Sequence, residues 1–116
     1  MPDLPPPDPA PPIPAVEFSK PVRLLEAIAD PVRYEALKDL ASGAFYTPSD
    51  LAQRLRVGVD NMAKHLRVLR ASGAVQLVFP PNGDRRCQYY QIPQRFRQTT
   101  DTGRPVIDYG VCVLRF

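Results

Sequence analysis

Prolines and glycines interrupt residues 21–73 at short intervals, so this part of the chain can form only short helices. Pro21, Pro31 and Pro48 each stand where a helix can begin, because proline fixes φ and the first helical turn needs no backbone donor. Gly73 stands where a helix can end, since glycine adopts the left-handed conformation at low cost. Apolar residues recur every three or four positions between these points, which predicts four short helices.

Two of the predicted helix starts also carry side-chain caps. Asp30 precedes Pro31, and its carboxylate can accept hydrogen bonds from the free amides of the first turn. Thr47 precedes Pro48, and Asp50 stands at the position of the reciprocal partner in a capping box. These signals predict a second helix that begins at Pro31 and a short third helix that begins at Pro48.

The fourth helix is predicted over residues 59–72. Its apolar residues Met62, Leu66 and Leu69 are spaced by four and three positions, which places them on one helical face. The opposite face is polar and carries Asp60, Asn61, Lys64 and Arg67. One side of this helix is therefore expected to pack on the domain while the other side is free to meet a partner.

A β-hairpin is predicted after the fourth helix. Residues 75–79 and 87–92 are strand candidates, and the Pro-Pro-Asn-Gly sequence at residues 80–83 is typical of a turn. Arg85 and Arg86 give the hairpin a basic stem. The predicted hairpin, called the wing below, therefore spans residues 75–92 and is positively charged.

The end of the sequence is predicted to add one more strand. Residues 93–103 are polar and are compatible with a helix or a loop. Residues 106–116 are β-rich and apolar on both faces, which indicates a single C-terminal strand. Because such a strand needs cover on both faces, we expect a second subunit to bury part of it as a dimerisation strand.

The start of the sequence is predicted to stay outside the folded domain. Eight of the first 14 residues are proline, which cannot join a helix or sheet interior, so residues 1–15 are expected to form a disordered arm. Residues 16–116 are expected to form one domain. No segment approaches the roughly 18 uninterrupted apolar residues of a membrane span, and no secretory signal is evident, so a cytoplasmic protein without membrane contact is expected.

The distribution of charge points to nucleic acid as the partner. Residues 53–86 hold seven arginines and lysines against two aspartates, as expected of a phosphate-binding surface. A short helix pair followed by a basic hairpin is the plan of a winged helix-turn-helix, so the fold class is predicted as mainly α with a small β wing (α+β). The predicted contacts with double-stranded DNA are Thr47, Asp60, Asn61, Lys64, Arg67, Arg85 and Arg86.

Four segments, in order, resemble the arsenical-resistance-repressor (ArsR) family of winged-helix transcription regulators. They are residues 28–37 (IADPVRYEAL), residues 51–55 (LAQRL), residues 62–75 (MAKHLRVLRASGAV) and residues 83–90 (GDRRCQYY). The resemblance implies a homodimeric repressor, of a family often switched by a bound metal or by thiol oxidation. Some members carry a cysteine motif in the first helix of the helix-turn-helix pair. This chain has Asp-Leu-Ala-Gln at residues 50–53 in that place, so the motif is absent. Cys87, Cys112 and His65 also lie too far apart in the sequence for a zinc or haem motif, and no metal, cofactor or small-molecule substrate is expected.

Several residues have more than one interpretation from sequence alone. His65, the single histidine, is expected to be a hydrogen-bonded structural group rather than a sensor. Cys87 and Cys112 are interpreted as ordinary strand cysteines, with a thiol-redox switch as the alternative.

No catalytic constellation is present, so an enzyme is not expected. A second alternative is a winged-helix module that binds another protein and has no specific affinity for DNA.

Overall fold

The computed structural model describes residues 20–79 and 87–116. The predicted arm at residues 1–15 and the predicted DNA contacts Arg85 and Arg86 lie outside the described residues. The described helices are α1 (Pro21–Ile28), α2 (Pro31–Leu40), α3 (Pro48–Leu55) and α4 (Val59–Ser72). The described strands are β1 (Gln76–Val78), β2 (Tyr89–Gln91), β3 (Arg97–Thr99), β4 (Pro105–Asp108) and β5 (Val113–Arg115). The α+β architecture predicted from the sequence is confirmed.

The predicted caps set the starts of α2 and α3. One carboxylate oxygen of Asp30 accepts hydrogen bonds from the backbone amides of Val32 at 2.9 Å and Arg33 at 3.0 Å. The Asp50 amide donates to the Thr47 hydroxyl and the Thr47 amide donates back to the Asp50 carboxylate, each at 3.1 Å. This capping box satisfies amides that have no partner inside the helix. Both helices therefore begin where the sequence predicted.

The apolar face of α4 forms the centre of the helical core. Met62, Leu66 and Leu69 are completely buried, as the spacing along the helix predicted. They belong to one cluster with Leu24 of α1 and with buried residues of α2 and α3. Gly73 ends the helix at φ +90°, the left-handed cap that was expected there. The helix is consequently held by its inner face against all three preceding helices.

The two paired strands of the predicted hairpin are confirmed and are tied to the loop before α3, and the predicted turn at residues 80–83 lies outside the described residues. Strands β1 and β2 pair antiparallel, with Leu77 opposite Tyr90. Tyr46 adds a bridge on the other side of β2. The Tyr46 amide donates to the Tyr90 carbonyl at 3.1 Å, and the Tyr90 amide donates to the Tyr46 carbonyl at 2.8 Å. Gln91 also donates from its side-chain amide to the Gly43 carbonyl at 2.7 Å. The base of the hairpin and the loop before α3 are therefore one hydrogen-bonded unit.

The prediction of a single strand over residues 106–116 is wrong. The chain reverses after β4 and returns as β5, and β3, β4 and β5 form a three-stranded antiparallel sheet. Gly110 occupies the turn at φ +85°, and its amide donates to the Asp108 carboxylate at 2.8 Å. A glycine is favoured here because L side chains rarely adopt positive φ. Residues 93–103, left open by the sequence, contain a short 3₁₀ turn (Gln94–Phe96) and β3.

Residues of the same chain bury much of this sheet. The argument that residues 106–116 need a second subunit because both of their faces are apolar is corrected by this observation. Val106 and Ile107 of β4 are buried in the described part of the chain without a second subunit. The Tyr109 ring packs on Phe96 with 5.0 Å between centroids, and its hydroxyl donates to the Ala74 carbonyl at 2.9 Å. The C-terminal sheet is thus anchored just beyond the end of α4.

Replacement of Tyr109 by phenylalanine is expected to lower the free energy of unfolding by about 1–2 kcal/mol. Burial raises the pKa of Tyr109, so its hydroxyl remains a donor, and the substitution leaves the buried Ala74 carbonyl without this bond. Urea unfolding followed by circular dichroism measures the change. Tyr34→Phe, at a half-buried ring that packs on Phe116, is the control and should change the free energy less. Equal effects would contradict the assigned hydrogen bond.

Candidate nucleic-acid interface

Helices α3 and α4 are joined by a turn of three residues that fixes their relative orientation. Arg56 adopts the left-handed conformation at φ +58°, and the Val57 amide donates to the Ala52 carbonyl at 3.0 Å. Gly58 then caps α4 through its carbonyl, which accepts from the Met62 amide at 2.9 Å. Because the inner faces of both helices are buried, the outer face of α4 has a defined direction relative to α3.

The outer face of α4 brings four of the predicted contacts together. The residues Asp60, Asn61, Lys64 and Arg67 are all exposed on this one helix. Asp60 lies in the first turn, where the helix dipole stabilises its negative charge. Val59 is also exposed here, at 49% of its surface, and the sequence analysis did not assign it a role. Val59 precedes Met62 by three positions and so lies on the apolar stripe of the helix, and no signal in the sequence indicated its exposure.

Thr47 lies at the start of α3 rather than on α4. Its hydroxyl oxygen accepts from the Asp50 amide, and a hydroxyl that accepts one hydrogen bond can still donate another. The Asp50 carboxylate accepts from the Thr47 amide, so a negative charge lies beside this hydroxyl. Thr47 therefore serves first as a helix cap, and one donor remains for a phosphate oxygen.

Arg54, counted among the basic residues of this region, is paired at the surface with residues of its own chain. Its guanidinium donates from Nε to the Asp39 carboxylate at 3.0 Å and lies 4.8 Å from the centroid of the Tyr46 ring. The hydrogen bond from Arg54 to Asp39 raises the pKa of the guanidinium. These contacts join α2, α3 and the loop that bridges to the hairpin, so Arg54 contributes mainly to the position of these elements.

His65 is a structural group, as the sequence predicted. Its Nδ1 lies 3.0 Å from Arg33 Nη1 and 3.8 Å from the Asp30 carboxylate. Arginine can only donate, so Nδ1 is the acceptor and the ring proton of neutral His65 lies on Nε2. Arg33 also donates from Nε to the Ala27 carbonyl at 2.6 Å. The interaction links α4 to the junction of α1 and α2.

The Asp30 cap gives a pH-dependent contribution to stability. The Arg33 amide is the main group that holds the pKa of Asp30 below its ordinary value, and the charge of Arg33 acts in the same direction. A lowered pKa in the folded state means that the contribution is complete above the unfolded pKa of about 3.9 and is lost as pH falls through the folded value.

The difference in unfolding free energy between the wild type and Asp30→Asn is expected to shrink as pH falls from about 6 to about 3. Asparagine can still cap the helix, so the substitution removes the charge and keeps the hydrogen-bond acceptor. Urea unfolding at several pH values measures the difference. A difference that stays constant over this range would show that the Asp30 charge does not contribute.

The two cysteines do not form a disulfide bond. Cys87 and Cys112 are both free and half-buried. Burial, followed by the charge of Asp108, raises the pKa of the Cys112 thiol, which lowers its thiolate fraction at neutral pH.

Within residues 20–79 and 87–116, no three His, Cys, Asp or Glu side chains are grouped as a metal site. None of the helices in these same ranges is long and apolar enough to cross a membrane.

Comparisons with known proteins identify solved structures of similar fold. No family model matches the chain, and no curated protein matches it. An ArsR-like transcriptional regulator from Rhodococcus sp. RHA1 is 30% identical, with a TM-score of 0.56 over 69% of this chain and 71% of that one. HlyU from Vibrio cholerae N16961 is 24% identical, with a TM-score of 0.56 over 67% of this chain and 79% of that one. The transcriptional repressor BigR from Xylella fastidiosa is 21% identical, with a TM-score of 0.54 over 69% of this chain and 74% of that one. The last two likenesses concern the fold alone.

Proposed function

This chain belongs to the ArsR family of winged helix-turn-helix transcriptional regulators, and we propose that it represses transcription as a homodimer bound to a specific DNA operator. Members of this class bind DNA and regulate transcription, so the chain is a regulator and not an enzyme. The observation that carries the proposal is the outer face of α4, where four polar residues are exposed on a helix whose inner face is completely anchored.

A helix with this division of faces suits the major groove of DNA. The groove is wide enough for one α-helix, and each base pair presents a distinct pattern of donors and acceptors there. The buried residues Met62, Leu66 and Leu69 hold α4 on the domain, so its polar side chains can read bases without loss of orientation. A three-residue turn joins α3 to α4. In the helix-turn-helix plan the first helix of such a pair crosses the DNA backbone, and we assign this role to α3.

We assign a role from its chemistry to each of five exposed residues of α4. Asn61 can pair with adenine through its amide, and Lys64 can donate to guanine or to a phosphate. Arg67 lies one turn further from the helix start and donates to phosphate. Asp60 accepts from cytosine, and the exposed Val59 offers an apolar contact to a thymine methyl group.

Two further parts of the proposed interface contact the backbone. Thr47 donates its remaining hydroxyl proton to a phosphate at the start of α3. Arg85 and Arg86, proposed from the sequence, contact phosphates or the minor groove through the wing. Together with α4, these groups supply the electrostatic part of the affinity. Binding releases counterions from the DNA, and the affinity falls as salt rises because this release is then less favourable.

A homodimer places two such helices on one face of the duplex. Its operator is then an inverted repeat with half-sites about one helical turn apart. The protein acts in the compartment that holds this DNA, the cytoplasm. No metal, cofactor or small-molecule effector forms part of the proposal, and the raised pKa of Cys112 disfavours a thiol switch at that residue.

Selection from a pool of random duplex DNA at two salt concentrations tests the proposed function. The full chain should enrich an inverted repeat, and the double substitution Asn61→Ala and Lys64→Ala should abolish the enrichment while leaving circular dichroism unchanged. Asn61→Ala alone should relax the preference at one position of each half-site. Weak, salt-sensitive binding without enrichment would reject the proposal and favour a winged-helix module that binds another protein.

A further inference from the structure

Strand β5 is an open edge of the C-terminal sheet. In the described sheet β5 has β4 as its one neighbour, with Val113 opposite Asp108 and Leu114 opposite Ile107. The Tyr109 amide donates to the Cys112 carbonyl at 2.9 Å, which fixes the phase of the antiparallel hydrogen bonds. Alternate residues of β5 therefore turn their amides and carbonyls toward β4, and the backbone groups of Val113 and Arg115 point away from it.

The side chains of β5 also differ between its two faces. Leu114 and its neighbours Cys112 and Phe116 are half-buried against the core. Val113 remains exposed at 44% of its surface, and Val111, in the turn before it, remains exposed at 38%. An edge strand with free backbone groups is a template for another strand, unless a short length, a charge, a proline or a bulge protects it. Strand β5 has three residues, and its one charged side chain, Arg115, lies at its end.

We propose that β5 pairs antiparallel with β5 of a second copy of this chain, so that two three-stranded sheets join into one of six strands. The proposal deepens the proposed function and rests on it, since it names the surface through which the two regulators meet. Val113 lies on the two-fold axis of this arrangement. Its outward amide and carbonyl exchange two hydrogen bonds with Val113 of the second copy.

The sequence of β5 complements itself in this register. Val113 packs on Val113 of the second copy, and Arg115 lies opposite Val111, where its aliphatic stem can cover the valine. The two Arg115 charges are kept at opposite ends of the pair. On the inner face, Cys112 lies opposite Leu114, so each apolar side chain of one copy meets an apolar side chain of the other.

The opposite edge of the sheet is a poorer site for a second copy. Gln98 and Thr99 of β3 are polar and exposed. Arg97 is turned toward its own chain, where its Nε donates to the Ile92 carbonyl at 2.9 Å. Both features protect β3, whereas the outward position of β5 before Arg115 is the exposed Val113. Self-pairing at β5 therefore removes apolar surface from water and satisfies the open backbone groups in one contact.

Sedimentation of the full chain and its Val113→Pro variant at micromolar concentration tests the interface. Proline at this position removes only an amide that points away from β4, so the variant should fold and sediment as a monomer while the wild type sediments as a dimer. Val113→Thr keeps the amide and the branched side chain and should remain a dimer. Circular dichroism of each variant verifies that the fold is retained.

A cross-link gives an independent measurement in folded protein. In a Cys87→Ser, Cys112→Ser background, Val113→Cys should form a disulfide-linked dimer in oxidised glutathione, because directly opposed residues lie about 5.5 Å apart between Cα atoms. Val111→Cys lies opposite Arg115 of the second copy in this register and should cross-link much more slowly. Equal rates for the two cysteines would reject the register and the pairing.

The outcomes separate this interface from the proposed function. A dimer that survives Val113→Pro and is lost in Leu25→Glu would overturn the proposal and place the interface on α1, where Leu25 is exposed. Selection of an inverted repeat would still support the regulator in that case. A dimer that depends on Val113, together with no enriched DNA sequence, would support the interface and reject the proposed function. A monomeric wild type would overturn the pairing.

Discussion

Leu66→Ala is expected to lower the free energy of unfolding by about 3 kcal/mol, a large fraction of the stability of a small domain. Leu66 is completely buried at the middle of α4 and lies in the cluster that joins the helices. Alanine removes three carbon atoms from this site and leaves a cavity that the surrounding helices can close only in part. Denaturant unfolding followed by circular dichroism measures the loss.

Val68→Ala on the same helix is the matched control. Val68 is 43% exposed, so its truncation should cost less than about 1 kcal/mol, although both substitutions place alanine in α4. A Leu66→Ala variant that is no less stable than Val68→Ala would contradict the assignment of the inner face. In the proposed regulator, the folded fraction of Leu66→Ala should still bind DNA, because Leu66 contributes no group to the outer face.

The double substitution Lys64→Ala and Arg67→Ala is expected to weaken operator binding by about 100-fold for each protomer at low salt, since each cation is proposed to make a charged hydrogen bond. Both side chains are exposed on the outer face of α4. Loss of two phosphate contacts should also reduce the slope of log affinity against log salt by about two for each protomer. Fluorescence anisotropy with a labelled operator at several salt concentrations measures both quantities.

The control removes the same charge from another surface. Lys38 in α2 and Arg104 beside β4 are also exposed, and their double alanine variant carries the same net charge as the α4 variant. A small and similar loss of affinity in both variants would mean that general charge, rather than the position of α4, determines binding. A large loss confined to the α4 variant is the result expected of a recognition helix.

The helical half of the fold could be predicted because its signals are local. Asp30 and Thr47 satisfy amides within three residues of themselves, so their roles depend little on the rest of the chain. The α4 bounds followed from the spacing of Met62, Leu66 and Leu69, and the helix spans Val59–Ser72 as predicted. The same spacing predicted the exposed polar face that forms the main part of the candidate interface.

The C-terminal sheet could not be predicted in the same way. Gly110 stands among β-branched and aromatic residues, which favoured one continuous strand and obscured the turn. The contact from Tyr109 to Ala74 joins positions that are 35 residues apart, so no local pattern indicates it. The engagement of Arg54 with Asp39 is also non-local, and a count of basic residues therefore overstated the charge available to DNA.

The bridge between Tyr46 and Tyr90 has a consequence for the thermodynamics of binding. Its two hydrogen bonds connect the loop before α3 to the base of the hairpin, and Phe45 adds an edge-on contact with Tyr89 at 5.6 Å between centroids. The entropy needed to align these elements is thus lost when the chain folds, not when it meets its ligand. Association that begins from a preorganised frame retains more of its interaction energy as affinity.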